Sequence, residues 1–75
     1  MNRSITIQAR WDNQAAVWLA TSQDVPGLVV EADTWAAMID EVRLVIPDLV
    51  DMPAQRSEKL SLTFKAEERL DLAGA

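Results

Sequence analysis

The sequence lacks cysteine and histidine, and these two absences exclude several kinds of protein. Without cysteine no disulfide framework can form, and without either residue there is no Cys/His zinc site. Histidine is also the general base of Ser-His-Asp and Cys-His catalytic sites, so neither is encoded. A chain of 75 residues without such support has a small core. We therefore expect self-association, as a homodimer or a larger oligomer.

Basic residues are the second scarce class. Seven Lys and Arg stand against twelve Asp and Glu, which gives a formal net charge of -5. An acidic protein repels phosphate backbones, so we expect no direct DNA binding and favour a basic protein as the partner. The chain also lacks the apolar run of a secretory signal and any apolar segment of transmembrane length. These features predict a cytoplasmic protein with no membrane contact.

Period-two alternation at the start of the chain predicts a β-hairpin. The first strand covers residues 4–11 and the second covers residues 16–21, with turn-compatible residues between them. An even-numbered loop centred between Asn13 and Gln14 would pair large residues with small ones. The expected pairs are Trp11 with Ala16, Ala9 with Trp18, and Ile7 with Ala20.

A turn, a third strand and a helix are predicted next. Pro26 and Gly27 favour a tight turn, because proline fixes its own φ and glycine accepts a positive φ. The third strand covers residues 28–32, and Asp33-Thr34 supplies the chemistry of a helix cap. Pro47 is expected to kink this helix or to open a short second turn. The apolar stripe of the helix consists of Trp35, Met38, Ile39, Val42, Val45, Ile46 and Leu49.

The remaining residues predict a loop, a fourth strand and a tail. The loop covers residues 52–58, the strand covers residues 59–66 with Leu60, Leu62 and Phe64 inward, and residues 67–75 form a weak edge strand or a frayed tail. A right-handed crossover through the helix makes the fourth strand parallel to the first and places it beside the first. The sequence therefore predicts an α+β fold of β-β-β-α-β order, with sheet order 3-2-1-4 and one helix on one face.

One helix can cover only one face of such a sheet. The uncovered face should carry Val17 and Leu19 at its centre, with Val29 beside them. An exposed apolar patch of this kind is typical of a contact surface. We therefore expect Val17, Leu19 and Val29 to form an oligomer interface.

Several short motifs resemble the HicB-like antitoxin superfamily. The turn Asp24-Val25-Pro26-Gly27, the strand after it and the helix start at Asp33-Thr34 resemble the hallmark of HicB-type antitoxins. The flanking motifs Trp11-Asp12, Val17-Trp18 and Ile46-Pro47-Asp48-Leu49 resemble a small uncharacterised family within that superfamily. The resemblance covers about residues 5–49 and implies a partial ribonuclease-H-like fold. The length of the chain predicts a single domain over residues 1–75. HicB-type antitoxins usually add a C-terminal DNA-binding domain, and we expect none here.

The resemblance also implies a function. HicB-type antitoxins neutralise HicA, a small basic toxin that cleaves mRNA, as part of type II toxin-antitoxin pairs. We therefore expect a non-catalytic protein-binding module that binds a HicA-like protein through Asp24, Glu31 and Asp33. The alternatives are a structural or regulatory homo-oligomer without a toxin, and an RNA-binding domain. Core packing explains the three tryptophans better than base stacking does. No catalytic residue, metal or cofactor is expected, because no carboxylate pair is brought together by spacing.

Hydrolysis of RNA or DNA should be absent, with or without Mg²⁺ or Mn²⁺. The reason is that the chain has no histidine and its carboxylates are scattered. A nuclease assay on the wild-type chain, with Asp12→Asn and Asp24→Asn as variants, checks this expectation. Metal-dependent cleavage that either variant abolishes would contradict it, whereas a contaminating nuclease would not respond to these substitutions.

Overall fold

The described residues form four strands and one helix. The computed structural model describes residues 2–50, 59–68 and 70–73. The elements in chain order are β1 (Asn2–Asp12), β2 (Val17–Thr21), β3 (Val29–Ala32), α1 (Trp35–Leu49) and β4 (Lys59–Glu67). The strands form one sheet in the order β3-β2-β1-β4. The predicted α+β fold and its 3-2-1-4 strand order are confirmed, whereas the predicted loop over residues 52–58 lies outside the described residues.

β1 is the central strand of the sheet. It pairs parallel with β4 from Asn2↔Lys59 to Arg10↔Glu67, and antiparallel with β2 from Gln8↔Thr21 to Asp12↔Val17. β1 therefore extends beyond the predicted residues 4–11 at both ends, because backbone pairing continues there after the apolar alternation has stopped. β3 adds to the outer edge of β2 in antiparallel orientation.

The predicted register of the β1–β2 hairpin is wrong by two residues. Trp11 lies opposite Trp18 and Ala9 lies opposite Ala20, so large residues meet large ones and small residues meet small ones. The two indole rings pack edge to face, with centroids 5.6 Å apart. Because the shift is an even number of residues, every side chain keeps its expected face of the sheet.

The hairpin loop explains the shift. Residues 13–16 form it, and Ala16 adopts a left-handed φ of 56°. The Asp12 side chain accepts hydrogen bonds from the backbone N–H groups of Gln14 and Ala15, and the Ala16 N–H donates to the Asp12 carbonyl at 2.8 Å. Asp12 thus organises the loop, and the loop is centred one residue later than expected.

α1 begins at the predicted Asp33-Thr34 pair, of which Thr34 is the cap. Thr34 Oγ1 accepts a hydrogen bond from the Ala37 N–H at 3.0 Å, which satisfies one of the unpaired amides of the first turn. The helix continues through the exposed Pro47 to Leu49, so no separate turn begins at the proline. The assignment of Leu49 to the apolar stripe is wrong, because this residue in the last turn is 43% exposed.

The core lies between α1 and one face of the sheet, with contributions from β1, β2 and β3, and α1 lies closest to β2 and β3. Met38, Val42 and Ile46 recur at four-residue steps and are buried, as the apolar stripe predicts. Trp35 packs edge to face on both Trp18 of β2 and Phe64 of β4, with centroids 5.0 and 6.2 Å away. The first turn of the helix therefore makes aromatic contacts with the strands on either side of β1. The remaining strand and loop residues of the core are Ile5, Ile7, Ala9, Ala20, Val25, Leu28, Val30 and Val50.

Truncation of Met38 should destabilise the fold far more than the same change at Leu44. Met38 is fully buried, whereas Leu44 on the outer side of α1 is 70% exposed. Met38→Ala should lower the free energy of unfolding by about 2–5 kcal/mol, because it leaves a cavity in the core. Leu44→Ala should change it by less than about 0.5 kcal/mol. Urea denaturation of the two variants measures both values, and equal losses would contradict this description of the core.

Candidate functional site

The sheet face opposite α1 is the candidate functional site, and we call it the open face. On β2 and β3 it carries Val17, Leu19, Thr21, Val29 and Glu31, which alternate with the core-facing residues. Val17 and Leu19 are half-buried, and Val29 is 67% exposed. The structure thus places all three predicted interface residues on the face where they were expected.

A row of charged residues crosses the open face at Leu19. Leu19 pairs directly with Glu31 of β3 on one side and with Arg10 of β1 on the other. Arg10 in turn pairs with Glu67 at the end of β4. The apolar centre of the open face is therefore flanked by charged side chains on both sides.

A shallow groove of about 430 Å³ runs across this part of the open face. Leu19, Val29 and Thr21 contribute to one side of it, and Arg10 and Glu67 contribute to the other. Its volume lies within the range of ordinary ligand-binding pockets. The groove combines apolar side chains with a few charged groups, as contact surfaces of proteins do.

The three acidic residues predicted to bind a partner do not form one cluster. Asp24 follows β2, near the Thr21 and Val29 end of the sheet, whereas Asp33 follows the opposite end of β3. Glu31 lies between them and is exposed, while its neighbour Val30 is buried. Of the three, Glu31 is the one paired with Leu19 on the open face.

Asp24 has a structural role in the turn after β2. Its Oδ2 accepts a hydrogen bond from the Thr6 N–H at 2.8 Å, and its own N–H donates to Ser22 Oγ at 3.1 Å. Ser22 Oγ donates to the Thr6 carbonyl at 2.6 Å. These two side chains therefore bind the backbone of β1 just beyond the end of β2. Sequence reasoning missed Ser22, whose spacing of two residues from Asp24 is the available signal.

The turn that follows is the predicted Pro-Gly turn. Gly27 has a φ of 90°, and the Leu28 N–H donates to the Val25 carbonyl at 3.2 Å. A positive φ at the third position is the requirement of a type II turn, which glycine meets without strain. The turn brings Val25 and Leu28 into the core, where both are 2% exposed.

The described part of the chain contains no group of three or more Asp or Glu residues placed to hold a metal ion. The carboxylate of Asp12 accepts hydrogen bonds from the amides of its own hairpin loop. Among the described helices, none is long and apolar enough to cross a membrane.

Comparison with known proteins assigns a family and a fold. A family model described as "Domain of unknown function (DUF1902)" matches residues 4–72. Among solved structures, the crystal structure of a hypothetical protein from the extremely thermophilic bacterium Thermus thermophilus is similar, with 32% sequence identity and a TM-score of 0.76. The match covers 93% of this chain and 100% of that chain. A search of curated proteins finds no match.

Removal of the Asp24 carboxylate should destabilise the fold, whereas removal of the Glu31 carboxylate should not. Asp24→Ala deletes the acceptor for the Thr6 N–H and should lower the free energy of unfolding by about 1 kcal/mol. Asp24→Asn keeps one acceptor oxygen and should lose less. Glu31→Ala changes the net charge equally but should stay within about 0.5 kcal/mol of the wild type. Thermal or urea unfolding of the three variants measures this, and an Asp24→Ala variant as stable as Glu31→Ala would contradict the structural role of Asp24.

Proposed function

The chain belongs to the DUF1902 family of domains of unknown function, and we propose that it is a non-catalytic protein-binding module. The observation that carries this proposal is the open face, where Leu19 and the exposed Val29 lie beside the charged residues Glu31 and Arg10. Protein interfaces have this composition, with an apolar centre surrounded by polar and charged groups.

The proposed partner is a small basic protein, bound in the manner of a HicB-like antitoxin. The formal net charge of -5 favours such a partner. The resemblance of the Asp24-Val25-Pro26-Gly27 turn and the Asp33-Thr34 helix start to HicB-type antitoxins points to a HicA-like mRNA-cleaving toxin. The cytoplasm is the compartment in which such a toxin meets mRNA, and we place the chain there.

Neutralisation would proceed by occupation rather than by chemistry. A toxin that cleaves mRNA needs a basic surface to hold the phosphate backbone, and an acidic partner that covers this surface excludes the RNA. Opposite charges accelerate the encounter, while apolar contact at Leu19 and Val29 would control the lifetime of the complex.

Among the acidic residues proposed to bind the partner, Glu31 is best placed for direct contact. It is exposed and lies beside Leu19 on the open face. Asp33 is exposed at the start of the helix and would contribute at the margin. Asp24 already accepts a hydrogen bond from the Thr6 N–H, so it would contribute to partner binding only through its negative charge.

A homo-oligomer without a toxin is the alternative function, and the open face supports it too. Val17, Leu19 and Val29 are placed to form a contact between two copies of the chain. An RNA-binding role has less support, because all three tryptophans pack against other aromatic rings. Base stacking requires an accessible ring face.

The proposed function is tested by the kinetics of binding to a small basic HicA-like protein, used as the probe across a salt series. The association rate should fall as salt rises, and Glu31→Lys should reduce it by about tenfold at low salt. Asp48→Lys makes the same change of charge on the outer side of α1 and should have little effect. An association rate indifferent to salt and to Glu31→Lys would contradict the electrostatic mechanism. The absence of binding would favour the homo-oligomer.

A further inference from the structure

Two leucines in the C-terminal segment are highly exposed. Leu70 is 78% exposed and Leu72 is 83% exposed, and both lie beyond the end of β4 and outside any helix or strand. Single exposed leucines are common on protein surfaces, but two within three residues form an apolar patch. We call residues 70–72 the tail.

The spacing of the tail leucines fits the open face. In an extended segment, residues two apart lie on the same side and are separated by about 6.6 Å. Leu19 pairs with Glu31, and Val29 precedes Glu31 by two residues on the same strand. Leu19 and Val29 are therefore diagonal neighbours across two strands, a relation that separates residues by about 7–8 Å. An extended tail can thus place one leucine against each of them.

The groove on the open face lies at the end of β4, the strand that precedes the tail. Glu67 is the last residue of β4 and also lines the groove, so β4 ends at the edge of the groove three residues before Leu70. In its own chain the tail leaves the groove open, since Leu70, Leu72 and Val29 all remain exposed. A second copy placed next to this edge would bring its tail to the first copy's groove, and the reverse contact would form by symmetry.

We propose that the tail of one copy binds the open-face groove of a second copy, and that the two copies exchange tails reciprocally. Such an interface is isologous and closes with two subunits. The proposal deepens the self-association described above and names the segment that occupies the groove. It rests on the open face being a protein-binding surface but not on the identity of the basic partner.

The absence of cysteine from the chain makes a direct cross-linking test possible. Chains carrying Leu72→Cys are mixed with chains carrying Val29→Cys and then oxidised. A disulfide between the two variants should form at least about tenfold faster than between Leu72→Cys and Leu44→Cys chains, because proximity raises the effective concentration of the thiols. Leu44 and Val29 are similarly exposed, at 70% and 67%, so exposure alone predicts equal rates. Equal rates would overturn the proposal.

A chain carrying both Val29→Cys and Leu72→Cys shows whether the tail that occupies the groove comes from a second copy or from the same chain. The proposal expects the two chains to become linked to each other on oxidation. A disulfide confined to a single chain would show that the tail folds onto its own groove, and would overturn the exchange.

Sedimentation measures the oligomeric state of the wild-type chain and of the tail variant in solution. The wild-type chain should be a dimer at micromolar concentration, and the Leu70→Ser/Leu72→Ser variant should be a monomer with an unchanged circular dichroism spectrum. Leu44→Ser introduces the same kind of change at another exposed leucine and should remain dimeric. A monomeric wild-type chain, or a dimer that the two tail substitutions do not affect, would overturn the proposal.

The tail variant also separates this inference from the proposed function. Leu70→Ser/Leu72→Ser leaves the open face intact, so it should bind the basic partner at least as tightly as the wild type does. A wild-type chain that binds the basic partner but does not form a dimer would overturn the tail exchange alone. A wild-type chain that exchanges tails but does not bind the basic partner would overturn the proposed function alone.

Discussion

The packing of α1 against β2 and β3 determines which surface of the sheet is available for function. Met38, Val42 and Ile46 insert into the core on one face of the sheet, and Trp35 contacts Trp18 and Phe64 at the start of the helix. With one helix in the described residues, the opposite face carries no helical layer. Leu19 and Val29 are consequently surface residues of a sheet whose other side is a well-packed core. An apolar patch on a small protein is usually retained for contact with another molecule.

The motif that most resembles HicB-type antitoxins has, in this structure, a structural explanation. Asp24 accepts a hydrogen bond from the Thr6 N–H, and Ser22 donates one to the Thr6 carbonyl. Gly27 supplies the positive φ of the turn, and Thr34 caps the helix. Each residue therefore has a reason to be present that does not involve a partner. The specificity of the proposed interaction then depends on the residues of the open face, of which Glu31 was part of the predicted set. A shared turn motif consequently supports a shared fold more directly than it supports a shared partner.

The two proposals assign the same face to two occupants, the basic partner and the tail of a second copy. Both would contact Leu19 and Val29, so the basic partner and the tail would compete for the same surface. The basic partner would differ in its dependence on Glu31 and on salt, since the tail contact is chiefly apolar. Self-association would thus keep the apolar residues of the open face covered until a partner displaces the tail.

The sequence by itself determined the elements of this protein, their order in the sheet and the side of each strand that faces the core. These features depend on local periodicity, on the cap chemistry of Asp33-Thr34 and on the handedness of one crossover. Only the tertiary structure decided the hairpin pairing of Trp11 with Trp18, because alternation is unchanged by a shift of two residues and the left-handed Ala16 has no sequence signal. The hydrogen bond between Asp24 and Thr6 joins residues that are 18 positions apart in the sequence. The exposure of Leu49 depends on where α1 lies over the sheet. Local patterns carry no information about such distances, so the partners of individual side chains emerge only when the chain is folded.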